Sequence, residues 1–205
     1  MKPRYWNKGK LYLSNKDKTL KRIISNYDNE YLTINKNYYH SLINSIIGQQ
    51  ISVSAASSIR NKFFLLHKNI TPKNIIQTRL NLLKKTGLSK QKISYILNIS
   101  NFFLENKSFI NNLIKFSEDE IKNKLIDIKG IGPWTIQMFL IFALGKSNIF
   151  PKGDLGFIKA ISISYKKKIP ISDKFLDKLY KDWSPYNTIA TWYLWRSIDP
   201  LPISY

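Results

Sequence analysis

The most constraining feature of the sequence is a turn with two glycines and a proline, set between two apolar stretches. Residues 126–135 read IDIKGIGPWT, so Gly130 and Gly132 flank one isoleucine and Pro133 follows directly. Proline favours the first position of a helix, so a new helix is predicted to begin there. Such a turn directs backbone N–H groups outward at a helix N-terminus, where anions such as phosphate bind. Taken alone, the pattern is also compatible with an ordinary tight turn.

A single carboxylate follows at the start of the next predicted helix. Residues 150–156 read FPKGDLG, and Asp154 occupies the position that would cap a helix beginning at Leu155. The capping role and a chemical role are compatible with each other. A phosphate-binding turn together with a nearby acid, in a basic chain, indicates chemistry on nucleic acid.

The charge of the chain also favours a polyanionic partner. The 205 residues carry 33 Lys and Arg against 13 Asp and Glu, a formal charge of +20 with a pI near 10.0. Charge of this size favours binding to a phosphate backbone and makes the affinity strongly salt-dependent. Lysine, isoleucine and asparagine are all abundant, so AT-rich coding explains part of the lysine excess. It does not explain the scarcity of acids.

The residue types that are missing narrow the chemistry further. The sequence has no cysteine, which excludes disulfides, thiolate catalysis, iron–sulfur clusters and cysteine-based zinc sites. The two histidines, His40 and His67, are far apart, which disfavours a histidine-ligated metal centre. The N-terminus lacks an apolar signal region, and the longest apolar run, residues 138–144, is too short to cross a bilayer. We expect no membrane association, and a cytoplasmic location (nucleoid-associated in a bacterium) or a nuclear one in a eukaryote.

Hydrophobic periodicity and capping signals predict an all-α protein. The segments with helical or continuous apolar character are 18–25, 38–64, 133–144 and 173–197. Helix starts are marked by capping residues at Thr71, Ser89 and Ser117, the last with Glu120 in a capping box. Residues 133–144 are apolar nearly all round, which predicts a buried helix. No segment alternates like a strand over more than a few residues.

Five motifs, in order, resemble the DNA-3-methyladenine glycosylases of the helix-hairpin-helix glycosylase superfamily. They are residues 46–52 (IIGQQIS), 87–89 (GLS) with Lys92, 128–135 (IKGIGPWT), 150–156 (FPKGDLG) and 184–196 (SPYNTIATWYLWR). The resemblance covers about residues 17–199. It implies two helical lobes flanking a cleft, without the N-terminal β domain of larger bacterial members. We expect one unit over 1–205, with one lobe from about 1–37 and 161–205 and the other from 38–160, including the hairpin at 126–135.

The resemblance implies a reaction as well as a fold. It assigns Asp154 the role of stabilising positive charge on the deoxyribose as the base leaves. Glycoside hydrolysis usually needs a second, protonating carboxyl group. An alkylated purine such as 3-methyladenine is already cationic, so one carboxylate suffices. Bifunctional members carry a lysine nucleophile at the position of Trp134. We therefore expect hydrolysis without lyase activity.

The resemblance also assigns the binding residues. The pocket for the extruded base would be lined by Trp134, Met138 and Trp195, whereas Trp192 is expected to belong to the core. The residues expected to contact DNA are Gln49, Gln50, Gly130, Gly132 and Thr135. Gln50 would fill the gap left by the flipped nucleotide, and a side chain at Gly132 is expected to clash with the backbone. The backbone carbonyls expected to hold a sodium or potassium ion are those of Ile126, Ile128 and Ile131. No other cofactor is expected.

The predicted function is base-excision repair by a monomeric DNA glycosylase. It would hydrolyse the N-glycosidic bond of alkylated purines, of the 3-methyladenine and 7-methylguanine type, in double-stranded DNA and leave an abasic site. One alternative is a glycosylase for an oxidised or deaminated base, which the apolar, aromatic pocket disfavours. Another is a non-catalytic helix-hairpin-helix DNA-binding module. That alternative leaves the combination of Asp154, Trp134 and Trp195 unexplained.

Overall fold

The computed structural model of this chain describes residues 1–199, and within that range it is helical without strands, as the sequence predicts. The helices are α1 Trp6–Lys16, α2 Lys18–Asn26, α3 Tyr38–Gly48, α4 Val53–Phe64, α5 Pro72–Gln77, α6 Leu80–Lys85, α7 Lys90–Glu105, α8 Lys107–Asn111, α9 Glu118–Ile126, α10 Pro133–Phe142, α11 Leu155–Tyr165, α12 Asp173–Trp183 and α13 Asn187–Ile198. A short 3-10 turn, Leu113–Lys115, lies between α8 and α9. Across these residues, no helix is both long and apolar enough to cross a membrane.

The helices group into two compact units. The first consists of Met1–Ile34 and the described residues from Leu140 onward, and it contains α1, α2 and α11–α13. The second is Asn35–Phe139, with α3–α9 and most of α10. The first boundary lies close to the expected residue 37, but the second falls at 140 instead of 160. Helix α11 lies in the first unit because its buried residues pack against α13.

Aromatic side chains form the centre of the first unit. Trp6 of α1 packs edge-on against Trp192 of α13, with 5.3 Å between ring centroids, and lies 5.7 Å from Tyr193. All three rings are at most 2% exposed. Aromatic residues bury a large area each and dominate the energetics of such a core. Trp192 is therefore a core residue, as the sequence predicts.

Helix α7 is the central helix of the second unit. It packs against α3 and α5, and Ile96 and Ile99 on its buried face are inaccessible to solvent. The hydroxyl groups of Tyr39 on α3 and Ser100 on α7 lie 2.7 Å apart and share a buried hydrogen bond. One end of α7 lies near the loop after α3, and its middle lies near the turn between α9 and α10. These two segments carry the candidate DNA-contacting residues of this unit.

The predicted helix starts are confirmed by their capping bonds. The side chains of Thr71, Ser89, Ser117 and Asp154 each accept a hydrogen bond from the backbone N–H three residues further on. Ser117 and Glu120 form both halves of the capping box. These bonds satisfy N–H groups that the first turn of a helix otherwise leaves unpaired.

Candidate nucleic-acid interface and active site

The turn between α9 and α10 is shaped by one of its two glycines. Gly130 has a φ of +107°, which L side chains rarely adopt, and a Cβ atom there would lie 2.2 Å from Cγ of Tyr95. Gly132 has no positive φ, and a Cβ atom there would have no neighbour within 4 Å. The expected clash at Gly132 is therefore wrong, because its Cα faces open space. The conformation of the turn requires glycine at Gly130.

The turn presents backbone donors at the start of α10. Within residues 1–199, the N–H groups of Gly130 and Gly132 donate to no protein acceptor. The N–H of Ile131 donates to the carbonyl of Ile128 over 2.9 Å and closes the turn. The positive end of the α10 dipole lies at the same place. Two N–H groups without a protein acceptor beside a helix N-terminus can bind an anion.

Gln49 connects this turn to the loop after α3. Its side-chain nitrogen donates to the carbonyl of Gly130 and to the hydroxyl of Thr135, both over 3.1 Å. Thr135 is 1% exposed. The structure thus gives Gln49 and Thr135 an internal bracing role, and their contact with DNA remains a prediction.

Gln50, the next residue, lies on the surface. Its side chain is exposed, and its φ of 55° lies in the left-handed region. For a residue with a side chain this conformation costs about 1–2 kcal/mol. The loop after α3 therefore holds Gln50 in a strained, solvent-exposed conformation. Its neighbour Gln49 is hydrogen-bonded to the turn between α9 and α10.

The Gln50 conformation leads to a stability prediction. A Gln50→Gly variant should raise the free energy of unfolding by about 1 kcal/mol, because glycine adopts a positive φ without the Cβ penalty. The matched Gln50→Ala variant keeps the penalty and should unfold like the parent in urea. Equal stability of the two variants would show that the left-handed conformation is not maintained in solution.

An open cavity of about 440 Å³ is formed by the two loops. Its lining includes Gln50, Tyr95, Gly130 and Trp134, all of the second unit. Of the three residues predicted to line the base pocket, Trp134 therefore does face a cavity. Tyr95, which no sequence motif indicates, also lines this cavity, and its ring lies directly against Gly130.

Asp154 belongs to the first unit, where two donors hold its carboxylate. Oδ1 accepts the backbone N–H of Phe157 over 2.6 Å and the indole N–H of Trp195 over 2.9 Å. The first bond confirms the predicted capping role. The second fixes the carboxylate in one orientation at the N-terminus of α11. A Cβ atom at Gly156 would lie 3.2 Å from the same oxygen, so a glycine leaves the carboxylate room.

The other two predicted pocket residues are buried. Trp195 is 4% exposed and stacks on Phe142 at a centroid distance of 6.0 Å. Met138 is 1% exposed, because α10 is apolar around most of its circumference. The structure therefore shows Trp195 as the residue that orients Asp154 and Met138 as part of the core. Their contact with a base remains a prediction.

These elements define an all-α protein with a helix–hairpin–helix that presents backbone donors and a capped, oriented carboxylate. Residues 43–191 match the family model described as HhH-GPD superfamily base excision DNA repair protein. The chain therefore belongs to the HhH-GPD superfamily, which confirms the family that the motifs predict.

Individual relatives support the same family assignment. YfjP of Bacillus subtilis (strain 168) is 30% identical over 189 residues, which are 88% of this chain and 66% of that protein. DNA-3-methyladenine glycosylase 1 of Schizosaccharomyces pombe is 29% identical over 204 residues, 93% of this chain and 86% of that protein. The solved structure of S. pombe 3-methyladenine DNA glycosylase (Mag1) in complex with abasic DNA superposes with a TM-score of 0.82 at 25% identity, covering 97% of this chain and 100% of that chain. The predicted fold class is confirmed.

Proposed function

We propose that this chain is a monofunctional DNA glycosylase that releases alkylated purines from double-stranded DNA by hydrolysis. The observation that carries the proposal is the Asp154 carboxylate, which Trp195 and the first turn of α11 hold in a fixed orientation. The S. pombe relative is named DNA-3-methyladenine glycosylase 1. The solved structure of S. pombe Mag1 contains abasic DNA, which is the product expected of this reaction. In this proposal the protein acts as a monomer. It would be located with chromosomal DNA, in the cytoplasm of a bacterium or the nucleus of a eukaryote.

The chemistry requires little more than one fixed negative charge. As the bond from sugar to base lengthens, the deoxyribose becomes positively charged, and a carboxylate stabilises that charge electrostatically. A cationic alkylpurine leaves as a neutral base, so no general acid is needed. Because Asp154 is oriented before the substrate arrives, no reorganisation is required at that moment.

In this proposal the hairpin between α9 and α10 binds the DNA backbone. The N–H groups of Gly130 and Gly132 would bind one phosphate, and the open space around Gly132 lets the phosphate approach closely. A sodium or potassium ion would be held by the main-chain oxygens of Ile126, Ile128 and Ile131. Within the described chain, the carbonyls of Ile126 and Ile131 accept no hydrogen bond, and that of Ile128 accepts one, from Ile131. An ion held there would neutralise part of the phosphate charge.

Base recognition would depend on the aromatic face of Trp134. A cationic base over an indole gains about 0.5–2 kcal/mol from cation–π attraction, depending on desolvation. Met138 follows one helical turn later on α10, and in this proposal it would line the same pocket. Trp195 contributes by holding Asp154, and Gln50 fills the gap left in the duplex.

Chromatography of released bases tests the proposal. Duplex DNA treated with a methylating agent should release 3-methyladenine and 7-methylguanine when incubated with the protein, and untreated duplex should release nothing. The proposal fails if a folded, DNA-binding preparation releases no methylated base. Binding without release would instead support the non-catalytic alternative.

The residue at position 134 predicts the absence of a lyase step. Trp134 offers no amine, so no Schiff base with the sugar can form there. Borohydride added during turnover should trap no covalent protein–DNA adduct, and the abasic strand should remain uncut until alkali is added. A trapped band that disappears when one lysine is replaced would show that a Schiff-base route exists.

A further inference from the structure

The ammonium group of Lys92, in the first turn of α7, is bonded to the main chain of another segment. Its Nζ donates to the carbonyl of Ile47 over 2.7 Å and to the carbonyl of Gln49 over 2.8 Å. Burial beside these groups lowers the pKa of Lys92. The backbone N–H of Lys92 also donates to the capping hydroxyl of Ser89 over 3.2 Å, which fixes where the side chain starts. Lys92 is therefore anchored at both ends.

The two carbonyls lie where α3 ends. The last carbonyls of a helix have no intrahelical partners, and the negative end of the helix dipole lies there. A lysine ammonium group satisfies both conditions, because it supplies donors and a positive charge. Hydrogen bonds to a charged donor are stronger than neutral ones. Lys92 thus fixes the point at which the chain leaves α3.

The fixed point lies immediately before Gln50. Lys92 holds the carbonyl of Gln49, while the side chain of Gln49 is bonded to Gly130 and Thr135 of the hairpin. Gln49 is therefore held through its main chain and its side chain in two different directions. Gln50 follows with an exposed side chain and a positive φ. An unanchored loop would relax to conformations that avoid this strain.

We propose that Lys92 is a positioning residue for DNA insertion: it holds the loop at Gln49 so that Gln50 is presented to the gap left by a flipped nucleotide. The inference rests on the proposed function and deepens it. Without the anchor, the loop must be ordered at each insertion, and that conformational entropy is subtracted from the free energy available to extrude the base. Lys92 acts through Gln50 and does not contact the base.

Base release from two duplexes separates positioning from a general structural role. In one duplex the lesion is normally paired, and in the other it faces a mismatched base, where extrusion costs least. Lys92→Met should slow single-turnover release about tenfold or more from the paired duplex and by a clearly smaller factor from the mismatched one. Lys92→Arg, which keeps the charge and donors, should recover most of the loss. Lys90→Met is the matched control, because Lys90 is exposed on the same turn of α7.

Three outcomes overturn the inference: no loss with Lys92→Met, an equal loss from both duplexes, or the same effect from Lys90→Met. If Lys92→Met does not fold, Lys92→Gln is measured in its place. A second readout is independent of catalysis. With 2-aminopurine beside a stable abasic-site analogue, the parent should raise the fluorescence at saturation more than the variant does.

The second readout distinguishes the two proposals. A parent that inserts but releases no methylated base contradicts the proposed function while supporting the role of Lys92, provided that the variant inserts less. A parent that releases bases, with a variant equal to it in both assays, contradicts only the role of Lys92. A parent that does neither contradicts both.

Discussion

An Asp154→Asn variant is expected to lose at least about 100-fold in single-turnover base release, the scale seen when one charge-stabilising group is removed from an active site. Asparagine keeps an oxygen that can accept the N–H groups of Phe157 and Trp195, and it caps helices as well as aspartate does. It lacks the negative charge that would face the sugar. The variant should therefore unfold at the same urea concentration as the parent and bind duplex DNA with undiminished affinity.

A second substitution at this position separates stability from chemistry. Asp154→Ala removes both the cap and the charge, so it should lower the free energy of unfolding by about 1 kcal/mol and abolish release to the same degree. If the folded asparagine variant released bases at close to the parent rate, Asp154 would have no catalytic role. The lone carboxylate would then be only a helix cap.

Gly130→Ala is expected to be the most destabilising change in the hairpin. The substitution forces a Cβ atom to within 2.2 Å of Tyr95 and places a side chain at a φ of +107°. Backbone strain and overpacking together should lower the free energy of unfolding by about 2–5 kcal/mol. Urea denaturation measures this directly, and a loss below about 0.5 kcal/mol, typical of a neutral surface change, would contradict the turn geometry.

Gly132→Ala is the matched control for that variant. Its Cβ atom meets nothing and its φ is ordinary, so the free energy of unfolding should change by less than about 0.5 kcal/mol. The added methyl group stands where a phosphate would approach, so duplex affinity at physiological salt should nevertheless fall. Unchanged affinity in this stable variant would show that the hairpin does not bind phosphate as proposed.

Features that depend on close neighbours in the sequence were predictable. Each helix cap involves residues three positions apart, so the capping box of Ser117 and Glu120 could be identified from the sequence alone. The sequence analysis does not predict helix α1, and the reason is also local. It contains Gly9, which lowers helix propensity. Glycine is needed at this position because α1 packs closely against α13, and a Cβ atom on Gly9 would lie 2.3 Å from Ile189.

The candidate site was predictable where a motif carries it and not where distant segments meet. The hairpin and Asp154 were identified because their spacing matches a family. The contacts of Lys92 with Ile47 and of Tyr95 with Gly130 join segments more than thirty residues apart, and they depend on how α7 packs. The boundary between the two units at residue 140 also depends on the packing of helices that are distant in the sequence. Burial of Trp195 likewise follows from packing against Phe142, which no local pattern indicates.

Competition between two duplexes tests whether the protein selects alkylated purines. One duplex carries a methylated purine and the other carries 8-oxoguanine, and both are incubated with the protein in one reaction while the released bases are followed. The methylated base should be released well before any oxidised base, because a cationic base has the weaker glycosidic bond and the stronger attraction to Trp134. Preferential release of 8-oxoguanine would contradict the proposed selection of alkylated purines and would leave the fold unaffected.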